Sequence, residues 1–241
     1  MRRHYLEDVA ELGPPVRDAI RYHNPDATYA TKGCNKRCSF CNVWMIEGGF
    51  SYFPDFSVRP ILCDSNLAGL DARYQDFIVE RYLAAGVALR DANSGFEPSE
   101  FDETVFARWR QINCGPWRFG YDESAERLQV RRVMKMLREA GVSAKRIRPY
   151  VLIGNEPFEL CMQRIHDVLE WGGEPHVQAQ IKLNALEKVP RIRYDWSAQK
   201  LIDVARWANR RIWRYAPFSE YARSTKTALR ERYDAQQGLF V

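Results

Sequence analysis

The stretch ATYATKGCNKRCSFC, residues 27–41, joins a short β-rich run to three cysteines spaced C-x3-C-x2-C. The run ends at Gly33 and the thiols follow at once, so one strand would deliver Cys34, Cys38 and Cys41 together from its C-terminal end. Three thiolates are one short of a closed structural zinc site and odd for disulfide pairing. The set reads as a metal or catalytic group with one position left open. What fold results depends on whether this strand belongs to a parallel sheet, and the rest of the chain answers that.

Five further β-rich runs end in small or polar residues: PILCDSN (60–66), VALRDANSG (87–95), WRFGYD (117–122), RPYVLIGN (148–155) and PHVQAQI (175–181). Between them lie LDARYQDFIVERYLAAG, SEFDETVFARWRQI, ESAERLQVRRVMKMLREAG and PFELCMQRIHDVLEWGG, each with apolar residues three and four apart, and three of them end in the glycine that closes helices. Strands alternating with helices of this length predict parallel βαβ units with right-handed crossovers. The expected fold is α/β, a partial (β/α)6 TIM-like barrel of six parallel strands, open on one side, with its chemistry at the C-terminal strand ends. The stretch EGGFSYFPDFSVRP, 47–60, reads as a loop where a regular barrel has its first full helix. A last helical segment, SAQKLIDVARWANRRIWRY, has no strand after it. The expected organisation is an N-terminal extension packing on the barrel (1–26), the barrel (27–195) and a C-terminal helical segment covering it (196–241).

Composition bounds the context. With 241 residues, 46% hydrophobic and 13% aromatic, the chain can bury a substantial core in one domain. The start, MRRHYLEDVAELGPPV, has basic residues but no apolar run after them, and no segment approaches the roughly twenty apolar residues of a membrane span. A cytoplasmic protein with no membrane partner is expected, and reducing conditions there keep thiols free for metal or catalysis. A net charge of +5 permits an anionic partner without requiring one.

The cysteine spacing, with Phe40 just before the last cysteine, resembles the signature of the radical S-adenosylmethionine superfamily, and the six-stranded reading agrees with that superfamily's fold. The resemblance explains the odd count. Three thiolates hold three irons of a [4Fe–4S] cluster, and the fourth iron takes the amino and carboxylate groups of S-adenosylmethionine. An electron from the cluster then cleaves the sulfonium bond, giving methionine and a 5′-deoxyadenosyl radical. The blocks YATKGCNKRCSFCNVWMIEGG, ILCDSN, YVLIGNEPFEL and ARWANRRIW with FSEY look like compact members related to the cobalamin-type radical enzymes but without the cobalamin domain. One departure is the short segment between the cluster loop and ILCDSN, which leaves no room for the usual first helix. Some thirty residues before the cluster are too few for a cobalamin domain, so methyl transfer through cobalamin is not expected.

The resemblance also implies roles. Phe40 would lie by the adenine; Asp64, Ser65 and Asn66, ending the second strand, would receive the amino group; Gly154 and Asn155, ending the fifth, would pack against adenine. The competing readings are an Asp/Asn helix cap for the CDSN residues and an ordinary strand-to-helix turn for Gly154 and Asn155. Asn93, Ser94, Arg118, Asp122, Gln178 and Gln180 are further residues at the barrel mouth, some of which alternation must turn outward. The partners implied are an external one-electron donor of flavodoxin or ferredoxin type and a nucleic-acid or nucleotide substrate.

Other features weigh less. Zinc would need a fourth ligand, and His4 and His23 have unhelpful spacing, while Cys63 could approach only through the fold. Cys63, Cys114 and Cys161 are scattered singly and read as core thiols. His166 reads as a helix-surface residue and His176 as a weak barrel-mouth candidate. There is no P-loop, no G-x-S-x-G and no H-E-x-x-H. RRVMKMLR reads as a solvated helix face. The C-terminal run mixes arginines with Trp207, Trp213 and Tyr215, a pattern that suits either nucleic acid or a helix covering the barrel, and we favour the cover. Two function classes follow. One is a radical S-adenosylmethionine enzyme of isomerase or transferase type, modifying a nucleic-acid-linked base such as an amino-acid-modified thymine of bacteriophage DNA, with tRNA, peptide or metabolite as other substrates. The other is a non-catalytic iron–sulfur or zinc module that binds nucleic acid.

Overall fold

The computed structural model describes residues 20–181, 189–190 and 192–223. Most of the N-terminal extension and the end of the C-terminal segment lie outside these residues. Eight short strands and eight helices run in the order α1 (Ile20–His23), β1 (Ala27–Thr28), β2 (Thr31–Lys32), α2 (Val43–Ile46), β3 (Ser51–Tyr52), β4 (Ile61–Leu62), α3 (Ala72–Ala85), β5 (Asp91–Ala92), α4 (Glu103–Trp109), β6 (Gly120–Tyr121), α5 (Arg127–Glu139), β7 (Tyr150–Ile153), α6 (Phe158–Glu170), β8 (His176–Ala179), α7 (Ala198–Asn209) and α8 (Phe218–Arg223).

Each of the six β-rich runs supplies a strand, and these pair in parallel and in chain order. β1, β4 and β5 form one three-stranded sheet, and β6, β7 and β8 another. Single parallel bridges between Phe96 and Phe119 and between Leu89 and Asn113 join β5's flanks to those of β6, so the two sheets continue one another. Among the described residues β1 pairs only with β4 and β8 only with β7, and the series does not close.

The first run is not one strand. Its ladder stops at Thr28, and Thr31–Lys32 pair instead with Ser51–Tyr52 in an antiparallel hairpin inside the stretch expected to be all loop. The cause is Asp64: its carboxylate accepts from the Ala30 N–H at 3.0 Å, from the Thr31 N–H, and from the Thr31 hydroxyl at 2.5 Å. Those amides are taken from the parallel ladder, and the chain turns away from the sheet towards β3.

The helices follow their caps. Asp71 accepts from the Arg73 N–H to start α3, Asp102 from Val105 to start α4, and Ser197 from Lys200 to start α7. Gly86 ends α3 with φ of 63°, a left-handed conformation that a side chain disfavours. On α5 the buried residues Val130, Val133, Met134 and Leu137 fall on one stripe, and Arg131, Lys135 and Arg138 lie off it, as the solvated-face reading requires. On β7 the alternation is plain. Val151 and Ile153 are buried, while Tyr150 and Leu152 face a cleft. Leu62, Ile78, Tyr82, Trp109, Trp117, Phe119, Val130, Val151, Ile165 and Trp207 belong to one continuous apolar core.

α7 covers the β8 side. The Asn209 carboxamide accepts from the Val177 N–H at 2.7 Å and donates to the Val177 carbonyl at 2.9 Å, pairing the side of β8 away from β7, where no strand pairs among the described residues. Trp207 is buried and its indole N–H donates to the Ala216 carbonyl at 2.8 Å. Arg211 and Arg214 both bind the buried Glu174 carboxylate, at 2.9 and 2.7 Å. Among the described residues no helix is long and apolar enough to cross a membrane.

Candidate functional site

The C-terminal ends of the parallel strands open into a cleft of about 440 Å³. Cys34, Cys38, Phe40 and Cys41 line it from the loop after β2, Ser65 and Asn66 from the end of β4, and Asn93 and Ser94 from the end of β5. Asp122 follows β6, and Gln178 and Gln180 stand on and just after β8. With Tyr150 and Leu152 of β7, residues drawn from six separate segments of the sequence meet in one concavity, the position where α/β folds keep ligands.

The cysteine loop is held by its neighbours. Gly33 has φ of 87°, and a Cβ there would collide with the Gly49 carbonyl, so the entry to the loop requires glycine. The Gly33 N–H donates to the Glu47 carboxylate at 2.9 Å and the Cys34 N–H to the Gly48 carbonyl at 3.2 Å. Across the loop, Asn35 donates to Glu100 at 2.6 Å, Lys36 to Ser99 at 2.9 Å, and Ser39 to Glu123 at 3.1 Å.

The three thiols are half-buried and unpaired. The Lys36 N–H donates to Cys34 Sγ at 3.3 Å and the Val43 N–H to Cys41 Sγ at 3.5 Å, contacts that also stabilise cluster-bound thiolates. Burial raises all three pKa values, Cys38 to about 12, where Glu97 adds to the effect. Binding a metal would displace the protons that burial favours on these thiols. Among the described residues no three His, Cys, Asp or Glu side chains gather as ligands of one metal ion. A [4Fe–4S] cluster asks for something different, because each of three thiolates binds its own iron. Three reduced thiols on one loop, facing one cleft with N–H groups on two sulfurs, fit that demand.

One wall of the cleft is acidic. Glu97, Asp122 and Glu126 line it, and Asp122 is pushed up to about 8 by burial and by the neighbouring Glu126. Burial also raises Glu126, whose carboxylate accepts from the Asp122 and Glu123 N–H groups at 2.6 and 3.0 Å. Sequence reasoning missed Glu97, Glu126, Tyr150 and Leu152. The capping box of Glu123 with Glu126 and the alternation along YVLI were the available signals.

Several expected residues lie elsewhere. Asp64 is fully buried and spends its carboxylate on Ala30 and Thr31, so it does not line the cleft. Asn66 does, but its amide is committed: it donates to Asn35 and Glu100 and accepts from the Gly69 and Glu97 N–H groups. Gly154 and Asn155 form the turn after β7. Gly154 packs towards Leu201, and Asn155 donates to the Asp122 carbonyl at 2.5 Å. Arg118 makes a two-pronged pair with Asp91, at 2.6 and 2.8 Å, and neither lines the cleft. His176 packs edge-on against Tyr150, 5.4 Å between ring centres, and burial lowers its pKa. His166 is exposed on α6 against Trp207. Cys63 and Cys161 are buried, Cys114 is exposed, and none of the three lines the cleft. A scan against protein-family models finds no match to the chain, and a search of curated proteins finds none either.

Proposed function

We propose that the chain is a radical S-adenosylmethionine enzyme on a partial (β/α)6 TIM-like barrel, removing hydrogen from a nucleic-acid-linked base. The observation that carries this reading is the shared cleft. The C-x3-C-x2-C loop opens at the C-terminal ends of parallel strands that follow one another in chain order, beside residues from β4, β5, β6 and β8. When bound, the cluster and S-adenosylmethionine supply the radical chemistry, by one-electron cleavage of the sulfonium to methionine and a 5′-deoxyadenosyl radical.

The chain's own residues have defined tasks in this reading. Cys34, Cys38 and Cys41 each hold one iron as thiolate. Phe40 offers an aromatic face on the same loop for adenine. Glu97 and Glu126, with Asp122 beside them, would receive the ammonium of S-adenosylmethionine in place of Asp64 and Asn66, whose polar atoms are occupied. Asn66 and Glu100 act on Asn35 and so position the cysteine loop. The electron comes from an external flavodoxin- or ferredoxin-type donor.

The competing module, gripping nucleic acid through its C-terminal segment, is disfavoured by the burial of Trp207 and by the pairing of Arg211 and Arg214 with the buried Glu174 carboxylate. Anaerobic reconstitution tests the proposal. The expected result is about four irons and four sulfides per chain, with 5′-deoxyadenosine released on reduction in the presence of S-adenosylmethionine. Zinc bound in their place, or a full cluster that cleaves nothing, would sink the proposal. For the substrate, deuterium carried from labelled modified DNA into 5′-deoxyadenosine is expected, and its absence with a cleavage-competent enzyme would remove DNA as the substrate.

A further inference from the structure

Beside the thiols and the acidic wall, the cleft has a neutral part. Gln178 on β8 and Gln180 just after it stand two residues apart along the chain. Gln178 and Gln180 line the cleft, next to Asn93 from β5 and to Tyr150 and Leu152 from β7. Neither glutamine carboxamide has a hydrogen-bond partner among the described residues. Tyr150, by contrast, spends its hydroxyl on the Asn93 carbonyl at 2.5 Å. Lys36 is the one cation lining the cleft among the described residues, and it is tied to Ser99 at 2.9 Å and to Glu97 at 4.0 Å.

These facts bear on what can bind. Among the described residues the lining of the cleft offers an anionic group no cation but the tied Lys36, and it includes Glu97, Asp122 and Glu126, while Arg118 and Arg148 act on Tyr150 from outside that lining. A carboxamide offers an N–H donor and a carbonyl acceptor side by side, which pairs with a ligand presenting acceptor and donor in the same order. The lactam edge of a pyrimidine, a carbonyl next to a ring N–H, is such a ligand, and a flipped-out base is read through that edge. We infer that Gln178 and Gln180 form a subsite that reads the lactam edge of an uncharged pyrimidine, with Leu152 and Tyr150 supplying apolar contact. The inference rests on the radical-enzyme reading for its purpose, but binding can be measured without the cluster.

The test uses the full chain without iron and follows chemical-shift changes on titration with thymidine, 3-methylthymidine and adenosine. Thymidine should bind in the millimolar range or tighter. 3-Methylthymidine, whose ring N–H is blocked, should bind about tenfold more weakly, as should thymidine to Gln178→Leu or Gln180→Leu. Circular dichroism checks that the variants are folded, and the 3-methylthymidine comparison needs no variant. Equal binding of thymidine and its methylated form, no binding of thymidine, or a loss confined to adenosine in the folded variants would overturn the subsite. A positive titration with no cleavage of S-adenosylmethionine after reconstitution would remove the radical reading and leave the subsite. Cleavage without lactam discrimination would do the reverse.

Discussion

Asp64 shows how one side chain redirects a chain. It sits at the end of β4, where a carboxylate could face the cleft, but its oxygens bind the Ala30 and Thr31 amides and the Thr31 hydroxyl. Burial outweighs these donors and pushes its pKa up to about 7. In the unfolded chain the same group titrates near 4. The folded form therefore holds its proton over a range where the unfolded form has lost it, and this contribution to stability is full below about 4 and is lost as pH rises to about 7. The urea midpoint of the iron-free chain should carry that slope between these pH values. Asp64→Asn should flatten it, and an unchanged slope would show that Asp64 is ionised throughout. From sequence alone this role was not legible, because Asp before Ser and Asn reads alike as ligand, cap or backbone acceptor. The cysteines were legible, since their spacing is local and needs no partner elsewhere to be recognised.

At the scale of elements, what could be read was whatever has a period. The α3, α5, α6 and α7 helices lie within the expected stretches because each runs for 12 residues or more and buries residues three and four apart. The β2–β3 hairpin could not be read, since it depends on the Asp64 carboxylate, far along the chain, drawing the Ala30 and Thr31 amides away from the ladder. Yet the hairpin sets the cysteine loop, with Gly33 at its exit pressed against Gly49. Gly33→Ala should strain the backbone and push the strands apart, at a cost on the order of 1–3 kcal/mol. Iron uptake should fall with it, read as iron per chain after reconstitution. The opposite rim makes a second case. Asn209 is the partner of an edge strand, and Asn209→Ala leaves the buried Val177 amide and carbonyl unpaired. A loss of about 1–3 kcal/mol in urea unfolding is expected, with faster hydrogen exchange at Val177. A loss spread evenly over the sheet, with no local effect at Val177, would contradict the edge-pairing role.

For the molecule as a whole, the order of the strands and an open side were expected, and among the described residues the series does not close; the curvature of a barrel was not legible. Each βα unit fixes its own direction through its crossover, whereas closure depends on two terminal strands that no local pattern relates. The same separation governs the response to losing iron. The thiols lie half-buried at the strand ends, while the continuous core beneath them runs from Leu62 through Trp109, Trp117 and Val151 to Trp207 without using Cys34, Cys38 or Cys41. A bound cluster therefore adds stability by binding the folded form, and does not supply the core. Stripping iron from the reconstituted protein with a chelator should leave a single cooperative urea transition with the same denaturant slope, since the surface buried on folding is nearly unchanged. The midpoint should fall. Hydrogen exchange should quicken at residues 33–49 and at the contacts of Asn35 with Asn66 and Glu100, and stay slow at Val130, Val151 and Ile165. A chelated protein that unfolds outright would give the thiols the role of a structural metal site, as in small domains that have no core without their metal.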